Sequence, residues 1–109
     1  MTDAMRDPII QTFLERCRSL GEKIQGVYLF GSRAKGTARP DSDYDLLLVV
    51  SEVFSLSDKD ALYDQVMDTL LESGRLVSLK IFRQPAFQHL CDLRTPFMTH
   101  VLQEGIKIG

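Results

Sequence analysis

Apolar residues recur along this chain in two rhythms, one helical and one of short unbroken runs. Ile10, Phe13, Leu14, Cys17 and Leu20 fall at helical spacing, which predicts a helix from about Pro8 to Leu20 with one apolar face. Asp7 can cap it, Pro8 suits its first turn, and Gly21 can close it. After Gly26 the run Val27-Tyr28-Leu29-Phe30 reads as a buried strand that stops at Gly31-Ser32. The stretch from Arg33 to Ser42 is polar, with Gly36 and Pro40, and predicts a short helix followed by a loop. Tyr44 to Val50 forms a second strand, apolar at every position from Leu46 onward, as a strand covered on both faces requires.

Ser57 with Asp60 marks a capping box for a helix to about Glu72, with Leu62, Val66, Met67 and Leu70 inward and Gly74 as its stop. Leu76 to Phe82 is a third strand, and Pro85 to Leu90 a short helix. Thr95-Pro96 starts a last helix that turns Phe97, Met98, Val101 and Leu102 inward and ends at Gly105. Ile106-Lys107-Ile108 is a candidate edge strand. Helices and strands interleave without repeats or low-complexity segments, so the fold class is α/β or α+β, and periodicity alone leaves both open.

Composition narrows the function classes. The 109 residues suit a single domain spanning 1–109, with 44% hydrophobic and 26% charged residues in the ordinary globular range. A net charge of −2 gives no basic field for gripping long nucleic acid, although a small anionic ligand is compatible with it. Cys17 and Cys91 fit neither a metal motif nor a disulfide framework, and Cys17 falls on an apolar helix face. No apolar run approaches membrane-spanning length, and Met1 to Asp7 lacks a signal-peptide core. A soluble, reduced, cytoplasmic protein is the expectation.

The chemistry concentrates between Gly31 and Asp45. Asp43 and Asp45 stand two apart at the head of a strand, so both carboxylates project on one face. Their mutual repulsion beside an apolar run calls for a cation, and Mg²⁺ prefers oxygen ligands and is commonly held by one or two carboxylates plus substrate phosphates. Gly31-Ser32 lies between a strand and a short helix, where glycine permits close backbone approach and free N–H groups favour phosphate oxygens. Ser32 adds a hydroxyl donor, and Arg33, Lys35 and Arg39 add positive charge nearby. Gly-Ser alone is usually a turn and Asp-Ser-Asp a solvated loop. Gly-Ser followed after ten residues by Asp-x-Asp arises by chance in on the order of one chain in a thousand, and its placement between two strands makes the pair harder to dismiss.

That spacing, within the string GSRAKGTARPDSDYDLLLVV, resembles the signature of the polymerase-beta-type nucleotidyltransferase superfamily, and most of all its minimal nucleotidyltransferases. The likeness extends to the ending Pro96-Phe97 through Glu104-Gly105-Ile106. The resemblance implies a mixed sheet flanked by helices, with Asp43 and Asp45 holding Mg²⁺ and the nucleotide phosphates. The catalytic assignment is Asp43 and Asp45, and the local chemistry assigns Gly31, Ser32, Arg33 and Lys35 to the nucleotide. The resemblance implies transfer of a nucleoside monophosphate from an NTP, with ATP the first choice, to an acceptor hydroxyl. It also implies a helical HEPN-type partner in a toxin–antitoxin pair, which some such members adenylylate. The superfamily commonly carries a third carboxylate on a neighbouring strand, and Leu76-Val77-Ser78-Leu79-Lys80-Ile81-Phe82 contains none. With Val77, Leu79 and Ile81 inward, Ser78 and Lys80 share the other face. Lys80 there is placed for phosphate contact or for displacing a second metal; Asp41, Glu72 and a carboxylate from a partner are candidate substitutes for the missing acid.

The rival to an enzyme is a nucleotide-binding module that neutralises its partner by contact alone, and the missing acid favours it. Polymerisation or tRNA end addition lacks a basic domain to hold the nucleic acid. One small core leaves little surface for an acceptor, so a second copy of the chain or a different protein is expected to supply it. Lys35-Gly36-Thr37 resembles the end of a P-loop whose first glycine is missing. His89 and His100 lack ligand spacing. Asp58, Asp60, Asp64 and Asp68 read as a solvated helix face, and Tyr28 and Tyr44 as packing residues.

Overall fold

In the computed structural model residues 6–39 and 42–109 are described. Asp7 caps α1 (Pro8–Ser19), its Oδ1 accepting from the Ile9 N–H at 2.9 Å, and Ile10, Phe13, Leu14 and Cys17 form its buried face. After a 3-10 turn come β1 (Ile24–Phe30), the short α2 (Ser32–Lys35), β2 (Tyr44–Val50), α3 (Leu56–Ser73), β3 (Val77–Arg83), α4 (Gln84–Asp92), α5 (Pro96–Glu104) and β4 (Ile106–Lys107). The strands form one sheet in the order β3-β2-β1-β4. β1 runs antiparallel to both β2 and β4, while β2 and β3 are parallel, so α3 serves as their crossover. The fold is thus a mixed sheet flanked by helices, as the resemblance implied.

Both faces of β2 are covered, which explains its unbroken apolar run. Leu46, Leu48 and Val50 pack with Ile10, Phe13 and Leu14 of α1 and with Leu62 and Val66 of α3. Leu47 and Val49 face the other way, against Phe87 of α4 and Met98 and Val101 of α5.

Three sequence expectations need correction. The capping box of α3 lies two residues earlier than Ser57 and Asp60. Ser55 Oγ accepts the Asp58 N–H, and Asp58 accepts the Ser55 N–H. Asp58 is therefore no idle member of a solvated face; it also pairs with Lys23 at 3.1 Å. The inward face of α3 runs through Leu62, Val66 and Thr69, and Met67 is left 53% exposed. Each residue turns about 100° around a helix, so Met67 cannot share the direction of Val66. Thr69 tolerates burial because its hydroxyl donates to the Gln65 carbonyl within the helix. On α5, Met98 and Val101 point inward, whereas Phe97 and Leu102 remain exposed.

Candidate functional site

The antiparallel pairing of β1 with β2 sets Phe30 opposite Asp45. Gly31, the next residue, is thereby pressed against the Asp45 side chain. Its φ of 75° and ψ of −158° fall in backbone space that is essentially open to glycine alone. A Cβ at Gly31 would collide with Asp45 Oδ2 and stand 3.3 Å from Asp45 Cγ. Glycine is required here twice, by the backbone and by the carboxylate. Ser32 then opens α2, in which the Ala34 and Lys35 N–H groups donate to the Gly31 carbonyl, both at 3.2 Å.

Asp43 is exposed and Asp45 half-buried, and β-strand alternation puts Asp45 on the Leu47 and Val49 face. Burial, and then the negative charge of Asp43, raise the Asp45 carboxyl above its ordinary pKa, while Lys80 opposes the rise. A pair of acids in this state is short of positive charge. Asp43 and Asp45 are the residues that could hold a divalent cation, with its other ligands drawn from phosphates or water. Among the described residues no group of three or more His, Cys, Asp or Glu side chains comes together to hold a metal. Asp41 lies outside the described residues. Glu72 is exposed on α3, which covers the opposite face, so it does not join Asp45. Ser78 pairs with Asp45 and Lys80 with Leu47 across the parallel ladder, so Ser78 and Lys80 share the face of the acids.

The cations near the motif have different destinations. Arg33 donates from Nε (3.1 Å) and from a terminal nitrogen (2.7 Å) to the Ser42 carbonyl, and stacks 3.8 Å from the centre of the Tyr44 ring. Tyr44 belongs to the core on the opposite side of β2, so the structure does not bring this guanidinium to the carboxylates. The Tyr44 hydroxyl donates to Asp7 Oδ2, whose carboxylate stands 3.9 Å from Arg33. Burial and then Asp7 push the Tyr44 phenol up to about 12. Tyr44 is therefore more than a packing residue: Asp7, Arg33 and Tyr44 clamp the segment leading from Ser42 into β2. No sequence signal joins Asp7 to Tyr44 across 37 positions. Lys35 instead bridges to Glu104 of α5 at 2.9 Å, and His100 reaches the same carboxylate oxygen at 2.7 Å. Beside Asp45, the Phe30 ring meets the exposed Phe97 edge-on with centroids 5.6 Å apart. The expectation of an inward Phe97 had hidden that wall.

A cleft of about 290 Å³ lined by Val50, Phe54, Leu56, Ile81 and Arg83 sits at the far end of β2 and β3. Ser55 and Lys59 also line it, and its Arg83 guanidinium is committed to the carbonyls of Ser51, Glu52 and Phe54.

Fold and motif together define a nucleotidyltransferase domain. The chain belongs to the family described as "Polymerase beta, Nucleotidyltransferase", which matches residues 10–108. It is similar to two proteins of Methanocaldococcus jannaschii named as candidate protein adenylyltransferases. With MJ0141 it shares 28% identity over 89 residues, 82% of this chain and 83% of the relative. With MJ1305 it shares 37% identity over 54 residues, 49% of this chain but only 37% of the relative's length. Among solved structures it resembles a chain of the complex of tri-AMPylated Shewanella oneidensis HEPN toxin with MNT antitoxin. That likeness has a TM-score of 0.52 at 18% identity and covers 89% of this chain and 66% of the other. Among the described residues no helix is long and apolar enough to cross a membrane.

Proposed function

We propose that this chain is an adenylyltransferase that moves AMP from ATP, with Mg²⁺, to a hydroxyl group on a helical protein partner of the HEPN type. The carrying observation is the apposition of Gly31 to Asp45, with Asp43 just before the strand that carries Asp45 and Ser32 at the start of α2. The names of the two archaeal relatives and the AMP-modified toxin in the similar complex support that direction.

Asp43 and Asp45 would hold Mg²⁺, which when bound supplies positive charge to the triphosphate. Gly31 admits the phosphates close to the backbone, and the Ser32 hydroxyl with the N–H groups opening α2 donates to their oxygens. Arg33 acts one step back, by holding Ser42 and Tyr44 and so the course of the chain into Asp43 and Asp45. Lys35, paired with Glu104, borders the site and ties α2 to α5. These groups favour in-line attack of the acceptor oxygen on the α-phosphorus chiefly by positioning. Pyrophosphate leaves, and the acceptor proton passes to solvent, since no third carboxylate is at hand among the described residues. Slow turnover follows.

The second reading, neutralisation of the partner by contact alone, is favoured by one observation: β3 presents Ser78 and Lys80, and no acid, on the face of Asp45. The test incubates the chain with α-labelled ATP, Mg²⁺ and the protein encoded beside it, followed by size-exclusion chromatography and intact-mass measurement. A partner that gains the mass of AMP supports transfer. A stable complex without mass gain supports contact neutralisation. Labelling of a small hydroxyl compound without any complex, even with a second copy of this chain, removes the protein-partner element.

A further inference from the structure

Lys80 lies on β3 opposite Leu47 of β2, one residue pair beyond the match of Ser78 with Asp45. Leu47 and Asp45 alternate onto the same face, so Lys80 leaves the sheet on the side of the acid pair. Diagonal neighbours on one sheet face stand about 7–8 Å apart, which a lysine side chain spans easily. The ammonium is exposed, and among the described residues it makes no hydrogen bond and no ion pair. Arg33, by contrast, is held at Ser42 and Tyr44, and Lys35 at Glu104. The attraction of Lys80 for Asp45 is felt at a distance, against burial and the charge of Asp43.

The charges are unevenly matched. Two carboxylates against one ammonium leave a single negative charge, which one divalent cation more than neutralises. A second divalent cation would have to bind beside Lys80 without an acid of its own, since no third His, Cys, Asp or Glu joins the pair among the described residues. Phosphate oxygens, in contrast, are natural partners for an uncommitted ammonium.

We propose that Lys80 is a phosphate-binding residue of the nucleotide site and limits that site to one divalent cation. The proposal rests on the nucleotide reading above and deepens it. It assigns the third strand to the ligand rather than to the metal.

Two measurements test it without relying on turnover. The first is calorimetric titration of a non-hydrolysable ATP analogue with Mg²⁺ into wild type and Lys80→Gln. The second is spin-resonance counting of Mn²⁺ bound with the same analogue in wild type, Lys80→Gln and Lys80→Glu. Lys80 is exposed, so the variants should fold, and circular dichroism checks that they do. The expected results are roughly tenfold weaker nucleotide binding in Lys80→Gln and one Mn²⁺ per bound nucleotide in wild type. Lys80→Glu should admit a second Mn²⁺. Two Mn²⁺ in wild type, or equal affinity in wild type and Lys80→Gln, would overturn the role of Lys80 while leaving the nucleotide site in place. No binding of the analogue to any form would overturn both.

Discussion

Replacing Gly31 with alanine asks the backbone and the site to give way together. At φ 75° and ψ −158° a residue with a Cβ is strained by about 1–3 kcal/mol. The added methyl would also strike Asp45 Oδ2, and with Asp45 Cγ at 3.3 Å the carboxylate must turn aside. Moving it off its preferred rotamer adds about 1 kcal/mol. The sum is about 2–4 kcal/mol, or a fall in Tm of about 10–20 °C for a domain of this size. The matched control is Gly74→Ala at the end of α3. Its φ of 72° strains alanine as well, yet nothing lies within 4 Å of the new Cβ. That control should cost about 1–2 kcal/mol and leave the site untouched. Urea denaturation of both variants gives the stabilities, and ATP titration with Mg²⁺ gives the binding. Gly31→Ala should lose most nucleotide affinity, while Gly74→Ala keeps it. Wild-type affinity in Gly31→Ala, or equal destabilisation by the two substitutions, would refute the coupling of Gly31 to Asp45.

Asp45→Asn should separate stability from binding. The folded chain holds a proton on Asp45 above the ordinary value of 3.8, so metal-free stability declines as pH rises from that value through the raised one. Thermal melts of the asparagine variant without metal should lack this decline, while its Mg²⁺-supported ATP affinity falls; a wild-type pH profile or wild-type affinity would contradict the assignment. Ser55→Ala should cost about 1 kcal/mol by breaking the capping box, and Ser57→Ala less than about 0.5 kcal/mol, by urea denaturation. The reverse order would restore the cap at Ser57. Burial pushes the Cys17 thiol up to about 11 and leaves it 4% exposed, whereas Cys91 is only half-buried. A thiol reagent at neutral pH should therefore label Cys91 in the folded protein and Cys17 only as the chain unfolds; mass spectrometry over a urea series would show equal early labelling if this is wrong.

Local rules made much of the chain legible. Asp7, Pro8 and the spacing of Ile10, Phe13, Leu14 and Cys17 suffice for α1, because caps and one apolar face are properties of neighbouring residues. β2 was bounded at Tyr44 and Val50 by the same means, and its unbroken run already implied cover on both faces. The spacing from Gly31-Ser32 to Asp43-x-Asp45 singled out one loop and its strand ends for chemistry. Yet spacing along a chain cannot say that Gly31 touches Asp45; the antiparallel register pairing Phe30 with Asp45 decides it. The inward sides of α3 and α5 also escaped local reading, since several apolar residues competed and only the covering sheet selects among them. Long side chains were hardest of all. Arg33, Lys35 and Lys80 look alike in sequence, but one packs on Tyr44, one reaches Glu104, and one, on the face of the acids, has no ion pair among the described residues. Their different destinations come from the two faces of a single sheet, which exist only once distant strands have paired.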